Sequence, residues 1–252
     1  MVRLGQNFLA DSNLLEAIVR DSQVGSGDVV LEIGAGEGAL TERLAARAAH
    51  VHAVEIDRDL EVELGPTAAA ANVSLHWGDA MEMELGGLRP PPTAVVSNLP
   101  YSVATPLILR TIEELPTVRS WTLMVQREIA DRLRAPSGSR VYGAPSVLVQ
   151  IAAEVRLLRP VDAAVFNPRP RVDSAVIALR RTGPGASPAV RELVRRAFAH
   201  RRKSLARSLD LARPGSLEPA RAALRELGLP EDARAERLEP EDFQRLAAKL
   251  AE

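Results

Sequence analysis

The stretch LEIGAGEGALTERLA, residues 31–45, decides the fold of this chain. It begins as an apolar strand, passes through Gly34, Gly36 and Gly38, and continues as a helix-forming segment. Glycines at such a turn allow positive φ angles and let the backbone approach a bound group that a Cβ atom would exclude. A strand, a glycine-rich turn and a helix in this order predict the first unit of a ligand-binding α/β sheet.

Short apolar runs alternate with helix-length segments through the first 181 residues. Their nearly continuous apolar character is typical of strands that are covered on both faces in a mostly parallel sheet. We therefore predict a Rossmann-like α/β domain over residues 1–181, with a doubly wound sheet. The predicted strands are 29–34, 51–57, 73–79, 94–98 and 121–126, with a helix running into a strand at 146–161 and a further strand at 173–181.

A second, smaller domain is predicted after the stretch TGPGASP, residues 182–188, which has strong turn chemistry. Beyond it the apolar residues follow a helical period. The predicted helices cover residues 189–200, 203–211, 218–227 and 241–250. We therefore predict an all-helical C-terminal domain over residues 182–252.

Composition excludes several classes of protein. The 252 residues include no cysteine, which excludes disulfides, thiolate nucleophiles and cysteine-ligated zinc. The four histidines lack partner carboxylates at ligand spacing, so no metal site is expected. No apolar run is long enough to span a bilayer and no leader pattern is present, so we expect a cytoplasmic protein with no membrane partner.

Two acidic residues follow the glycine turn at the ends of the next two predicted strands. Glu55 comes about 20 residues on, where a carboxylate can accept from ribose hydroxyls, and Asp79 can accept from an adenine amino group. Gly38 falls one position early for a nicotinamide fingerprint, and Glu37 adds negative charge where a pyrophosphate would lie. The pattern favours S-adenosylmethionine, a cation without phosphates, over the cofactor of an NAD-dependent oxidoreductase. The candidate cofactor residues are Gly34, Gly36, Glu55 and Asp79.

The motif NLPY, Asn98 to Tyr101, ends the fourth predicted strand. The Asn98 side-chain carbonyl and the Leu99 backbone carbonyl can each accept one N–H of an adenine amino group, which frees the nitrogen lone pair for a methyl group. Pro100 fixes the backbone, and Tyr101 can stack on the base, a contact worth about 1–3 kcal/mol. The motif therefore predicts methyl transfer to adenine by positioning and electrostatics, without a strong general base. The structural alternative is a helix cap at Asn98 and a core position for Tyr101.

Ordered motifs along nearly the whole chain resemble the KsgA/RsmA family of ribosomal RNA adenine N6-dimethyltransferases. The motifs that carry the resemblance are LGQNFL at 4–9, EIGAGEGALT at 32–41, VEIDRDL at 54–60, GDA at 78–80, NLPYSVATPL at 98–107, VQREIADRL at 125–133, YGAPSVLVQ at 142–150, FNPRPRVDSAV at 166–176 and AFAHRRKSLARSL at 197–209.

The resemblance implies a substrate and further site residues. The substrate would be two adjacent adenines in the 3′-terminal hairpin of 16S rRNA, within an immature small ribosomal subunit, and each adenine would receive two methyl groups. Phe166 would stack on the face of the adenine opposite Tyr101. Nothing in the sequence demands more than a monomer. The residues implied to contact S-adenosylmethionine are Asn7, Leu9, Gly34, Glu55, Asp79 and Asn98.

A basic cluster points to RNA. The chain has a formal net charge of −1, but residues 191–213 carry a local balance of about +6. We predict that Arg201, Arg202, Lys203 and Arg207 contact RNA phosphates, against the alternative of a solvated charged face. Two other functions remain open: an Erm-type methyltransferase acting on 23S rRNA, and a ribosome-assembly factor acting mainly by binding.

Overall fold

A computed structural model describes residues 8–9 and 11–251 of the chain. Among these residues no helix has the length and apolar character to cross a membrane. The elements are β1 (Phe8–Leu9), α1 (Ser12–Ser22), β2 (Val29–Ile33), α2 (Ala39–Ala45), β3 (His50–Glu55), α3 (Glu61–Ala68), β4 (Val73–Trp77), β5 (Ala94–Asn98), α4 (Ala104–Glu114), β6 (Ser120–Gln126), α5 (Arg127–Leu133), α6 (Ala144–Ala152), β7 (Ala153–Val161), β8 (Phe166–Asn167), β9 (Ser174–Arg181), α7 (Pro188–Phe198), α8 (Leu205–Ala212), α9 (Leu217–Glu226) and α10 (Pro240–Lys249).

A seven-stranded sheet in the order β4-β3-β2-β5-β6-β9-β7 forms the centre of the α/β fold. The five strands from β4 to β6 are parallel, and β9 pairs antiparallel with β6 from Ser174 opposite Gln126 to Arg180 opposite Ser120. The predicted mostly parallel, Rossmann-like sheet is confirmed. Chain order reverses between β2 and β5, which is where α/β sheets of this kind bind ligands.

The backbone pairing of β2 with β5 stops before their carboxyl ends. Backbone pairing joins Val30 to Ala94 and Leu31 to Val95. Further along, the Ile33 N–H donates instead to the side-chain hydroxyl of Ser97, at 2.9 Å. This side chain, which is fully buried, takes the place of a ladder hydrogen bond. The change in pairing therefore falls at the point where the strand order reverses.

A two-stranded sheet was not predicted from the sequence. In it, β1 pairs antiparallel with β8, with Phe8 opposite Asn167 and Leu9 opposite Phe166. Strands of two residues are too short to show a period of two, so no pattern signals them. The pairing brings the end of the N-terminal motif next to the motif that begins at Phe166.

The chain divides into two compact units whose boundaries differ from the predicted domains in one segment. The first unit holds the described residues up to Ala130 and Val155–Arg181; the second holds Asp131–Glu154 and the chain from Thr182 onward. The predicted break at residue 182 coincides with a unit boundary, but the continuous domain 1–181 does not match. The segment Asp131–Glu154 belongs to the helical unit because its Tyr142 is fully buried in that unit's core. Its hydroxyl also donates to the Leu238 carbonyl at 3.0 Å.

Candidate active site

A cavity of about 500 Å³ lies in the first unit at the carboxyl ends of β2, β3 and β5. Its size suits a ligand as large as a nucleoside with an attached side chain. The cavity joins the glycine turn, the ends of two neighbouring strands and the NLPY motif in one space. The predicted site residues that line it are Leu9, Gly34, Gly36, Glu55, Asp79, Asn98, Leu99, Pro100 and Tyr101.

The glycine turn lies against the NLPY motif. Gly34 has a φ of +81°, and a Cβ atom there would come within 3.5 Å of both the Asn98 carbonyl oxygen and Pro100 Cδ. Gly38 has a φ of +84°, and a Cβ atom there would lie only 2.9 Å from Thr67 Oγ1. The positive φ angles predicted for this turn are confirmed, and the distances from Gly34 show that the turn lies beside the NLPY motif.

Glu55 holds the loops that follow β2 and β3. The residue is 4% exposed. Oε2 accepts the Gly36 N–H at 2.8 Å, and Oε1 accepts the N–H groups of Ile56 and Asp57, each at 2.9 Å. A carboxylate has roughly four acceptor sites, so capacity remains for a ribose hydroxyl. The exposed neighbour Ile56, which also lines the cavity, offers an apolar surface that the sequence pattern did not single out.

The NLPY motif is held by β6 on one side and by β9 on the other. The Leu99 N–H donates to the Met124 carbonyl at 3.1 Å, so the motif begins in register with β6. The hydroxyl of Tyr101 lies 2.5 Å from Ser174 Oγ, and burial raises the pKa of Tyr101. Ser174 is fully buried at the start of β9. The tyrosine ring is thereby fixed at the cavity wall.

Two residues implied by the family resemblance are not placed at the cavity. Asn7 lies outside the described residues. Phe166 is 4% exposed and packs in the apolar core with Leu9 and Val176, and it is not among the described residues that line the cavity. Its burial follows from the pairing of β1 with β8, which carries the ring into the core. Stacking by Phe166 on an adenine stays a prediction.

Glu32 is a cavity residue that was not predicted from the sequence. It is 1% exposed, and in the described part of the chain its Oε2 forms no hydrogen bond of ordinary length, although the Thr41 hydroxyl is close enough to favour the charged form. Burial, with a smaller contribution from the charge of Glu55, raises the pKa of Glu32 to about 8. The signal was present, because a glutamate inside the apolar run VVLEIG is unexpected in a strand covered on both faces.

No metal centre is found in the described ranges, where no group of three or more histidine, cysteine, aspartate or glutamate side chains could hold an ion. The histidines of β3 and β4 already have hydrogen-bond partners within the protein. His52 Nδ1 lies 3.0 Å from His76 Nε2, and His52 Nε2 lies 2.8 Å from the Pro90 carbonyl oxygen. Burial lowers the pKa of both His52 and His76, which favours their neutral forms.

The basic cluster of the second unit contains cations in two different situations. The Arg201 guanidinium donates to the backbone carbonyls of Arg140 at 3.0 Å and Tyr142 at 3.3 Å. It also lies 3.7 Å from a carboxylate oxygen of Glu236. Arg202, Lys203 and Arg207 are exposed, as Arg201 is, but none of these three forms an ion pair within residues 8–9 and 11–251. They are the cations of the cluster most available to a phosphate.

The sheet order and the cavity at its reversal point define a Rossmann-like methyltransferase. The family model for ribosomal RNA adenine dimethylases matches residues 2–252. The chain belongs to that family, which confirms the resemblance inferred from its motifs.

Curated relatives and solved structures agree with this assignment. The chain is 46% identical to ribosomal RNA small subunit methyltransferase A of Rubrobacter xylanophilus, over 99% of this chain and 94% of the relative. It is 44% identical to the protein of that name from Streptomyces avermitilis, over 96% and 85%. A dimethyladenosine transferase from Plasmodium falciparum superposes with a TM-score of 0.82 at 25% identity, over 95% of each chain. The 23S rRNA methyltransferase ErmE gives 0.70 at 28% identity, over 98% and 100%.

Proposed function

We propose that this enzyme transfers methyl groups from S-adenosylmethionine to N6 of two adjacent adenines in the 3′-terminal hairpin of 16S rRNA, during maturation of the small ribosomal subunit. We place the reaction in the cytoplasm, with an immature small subunit as substrate and a monomeric, metal-free enzyme. The observation that carries the proposal is that the glycine turn and the NLPY motif line the same cavity, so the cofactor turn and the adenine motif are two walls of one space.

The cavity residues fit S-adenosylmethionine. The wall carries four carboxyl groups, those of Glu32, Glu37, Glu55 and Asp79, of which Glu32, with its pKa raised to about 8, keeps its proton at neutral pH. A predominantly acidic wall suits a cation without phosphates. Glu55 would hold the ribose and Asp79 the adenine ring, and the bound cofactor would supply an activated methyl group on its sulfonium sulfur.

The chain's own residues prepare the target nitrogen. The Asn98 side-chain carbonyl and the Leu99 backbone carbonyl accept the two N–H groups of the adenine amino group, which draws the nitrogen toward tetrahedral geometry. The hydrogen bond from Leu99 to Met124 fixes the second of these acceptors. Tyr101, fixed by Ser174, offers a face for stacking. The alkylated nitrogen loses its proton readily, so the residues need only position and polarise it.

The relatives' names support a small-subunit substrate. Both bacterial relatives described above are named as small-subunit methyltransferases, at 46% and 44% identity, whereas the 23S rRNA enzyme ErmE is 28% identical. An Erm-type activity on 23S rRNA is therefore the second candidate. For either RNA, Arg202, Lys203 and Arg207 would supply phosphate contacts.

The proposal is tested by incubating the enzyme and labelled S-adenosylmethionine with undermethylated small subunits or with naked 23S rRNA, and then mapping dimethyladenosine. Label in the 3′-terminal hairpin of 16S rRNA is expected. Label confined to 23S rRNA would overturn the substrate assignment, and tight binding of subunits without label would favour an assembly factor. Asn98→Ala should abolish transfer, whereas Asn13→Ala, at an exposed position of α1, should not change it.

A further inference from the structure

Arg110 joins α4 to the turn that follows β4. Its guanidinium donates through Nη1 to the Ala80 carbonyl at 2.5 Å and through Nη2 to the Met83 carbonyl, while Nε donates to Glu114 Oε1 at 2.6 Å. The side chain is only 16% exposed. A planar, charged fork that satisfies two carbonyls of one turn restricts that turn more than a single neutral hydrogen bond would.

The turn held by Arg110 carries the residue predicted to recognise adenine. The N–H groups of Glu82 and Met83 both donate to the Asp79 carbonyl at 2.9 Å, and the Met81 N–H donates to Asp79 Oδ1 at 2.8 Å. Asp79 and Ala80 line the cavity. One carboxylate oxygen of Asp79 is thus engaged within the turn, and the position of the other depends on how firmly the turn is held.

The helix that carries Arg110 is itself part of the cavity wall. Val103, which precedes α4, and Leu107 within it both line the cavity. The helix begins at Ala104, directly after the loop that follows Tyr101. The hydrogen bonds of Arg110 therefore tie the adenine-binding turn to the element that extends from the NLPY motif.

We propose that Arg110 is a positioning residue that holds the 79–83 turn, so that Asp79 selects a cofactor whose purine carries a 6-amino group. The inference rests on the proposed function, because it takes S-adenosylmethionine as the cofactor. A carboxylate only accepts hydrogen bonds, so it pairs with a 6-amino group and repels the carbonyl oxygen of a 6-oxo purine. If the turn can move, this discrimination weakens, because the Asp79 carboxylate can then move away from the carbonyl oxygen of a 6-oxo purine.

The test compares binding of S-adenosylhomocysteine with that of S-inosylhomocysteine, which has a 6-oxo purine, by isothermal titration calorimetry. The wild-type protein should prefer the adenine compound roughly tenfold or more. Arg110→Met should reduce this preference ratio by roughly threefold or more, Arg110→Lys should restore part of it, and Asp79→Asn should remove most of it. Arg89→Met is the matched control, because Arg89 also donates to two backbone carbonyls, those of Gly86 and Leu88, but neither of these residues lines the cavity.

The outcomes separate this inference from the proposed function. If Arg110→Met weakens both compounds equally or leaves the ratio unchanged, Arg110 has only a structural role and the inference fails while the cofactor assignment stands. An unchanged ratio in Asp79→Asn also overturns it. If the wild-type protein binds neither compound, the proposed cofactor fails and the inference fails with it. Should Arg110→Met not fold, as judged by its melting curve, the ratio in Arg110→Lys decides, and a wild-type ratio there overturns the inference.

Discussion

The Gly36 N–H donates a hydrogen bond to the Glu55 carboxylate at 2.8 Å, and this bond joins the loops that follow two adjacent parallel strands. The same carboxylate accepts two further backbone N–H groups. The residue predicted to bind the ribose therefore also shapes the cavity.

Replacement of Glu55 should affect stability and cofactor binding together. Glu55→Ala leaves three backbone donors without their charged acceptor, and we expect the free energy of unfolding to fall by about 2–3 kcal/mol. Binding of S-adenosylhomocysteine should weaken by roughly tenfold or more. Glu55→Gln, which keeps one acceptor oxygen, should be intermediate, and Glu61→Gln, at an exposed position of α3, should match the wild type. Urea unfolding and calorimetry would measure both effects, and wild-type binding by Glu55→Ala would contradict the assignment.

The hydrogen bond between the hydroxyls of Tyr101 and Ser174 should support methyl transfer, and the two hydroxyls should act as a pair. Tyr101→Phe and Ser174→Ala each leave one buried hydroxyl without its partner, at a cost of about 1–3 kcal/mol. The double variant removes both hydroxyls, so its effect should be smaller than the sum of the single effects. Tyr101→Ala should be slower than Tyr101→Phe, since it also removes the stacking surface. Single-turnover rates on undermethylated subunits test this, and additive single effects would show that the bond does not position the ring.

The buried carboxyl of Glu32 should make stability depend on pH. Its pKa is raised from 4.5 to about 8 in the folded protein, so between these values the folded state retains a proton that the unfolded chain releases. The free energy of unfolding therefore falls as pH rises through this window, by up to about 1.4 kcal/mol per pH unit, and the penalty is complete above pH 8. Glu32→Gln should remove this dependence and gain stability relative to the wild type as pH rises.

Urea unfolding across that pH range provides the measurement, with Glu37→Gln, at an exposed position of the glycine turn that follows β2, as the control. The control should keep the wild-type pH dependence. Parallel curves for Glu32→Gln and the wild type would show that Glu32 is ionised in the folded protein.

The basic cluster should separate into RNA-binding and structural cations. Neutralising Arg202, Lys203 or Arg207 should make RNA binding less sensitive to salt, with the logarithmic slope smaller by roughly 0.7–0.9 for each phosphate that is no longer neutralised. Arg201→Ala should instead lower the melting temperature, because its guanidinium satisfies the carbonyls of Arg140 and Tyr142. Binding titrations with the 16S hairpin at several salt concentrations test the first effect. If Arg201→Ala lowers only the salt slope, its hydrogen bonds within the unit are dispensable.

The sequence predicted most of the elements that form the sheet. Buried parallel strands have nearly continuous apolar sequences, so the predicted ends of β2 and β5 agree with the structure to within one residue. The N-cap of α1 depends on equally local chemistry, since Asp11 accepts from the N–H groups of Asn13 and Leu14. Local order was predictable because strand pattern, turn chemistry and capping each depend on neighbours in the chain.

Long-range placement was not predictable from these local patterns. The sequence predicted a helix running into a strand at 146–161 but could not show that Asp131–Glu154 joins the helical unit. The hydrogen bonds from Arg110 to the carbonyls of Ala80 and Met83 depend on how α4 packs. The spacing of these residues in the sequence does not signal the two bonds. The burial of Phe166 likewise follows from the pairing of β1 with β8.

The discontinuous second unit has a consequence for biosynthesis. During translation the residues of the first unit are complete once Arg181 has left the ribosome, whereas Asp131–Glu154 must await partners that are synthesised later. Until then Tyr142 and Val147, which are fully buried in the finished protein, lack the helices that cover them. A nascent chain paused near residue 182 would thus present an apolar segment to chaperones, and a fragment beginning at that residue would lack part of its own core.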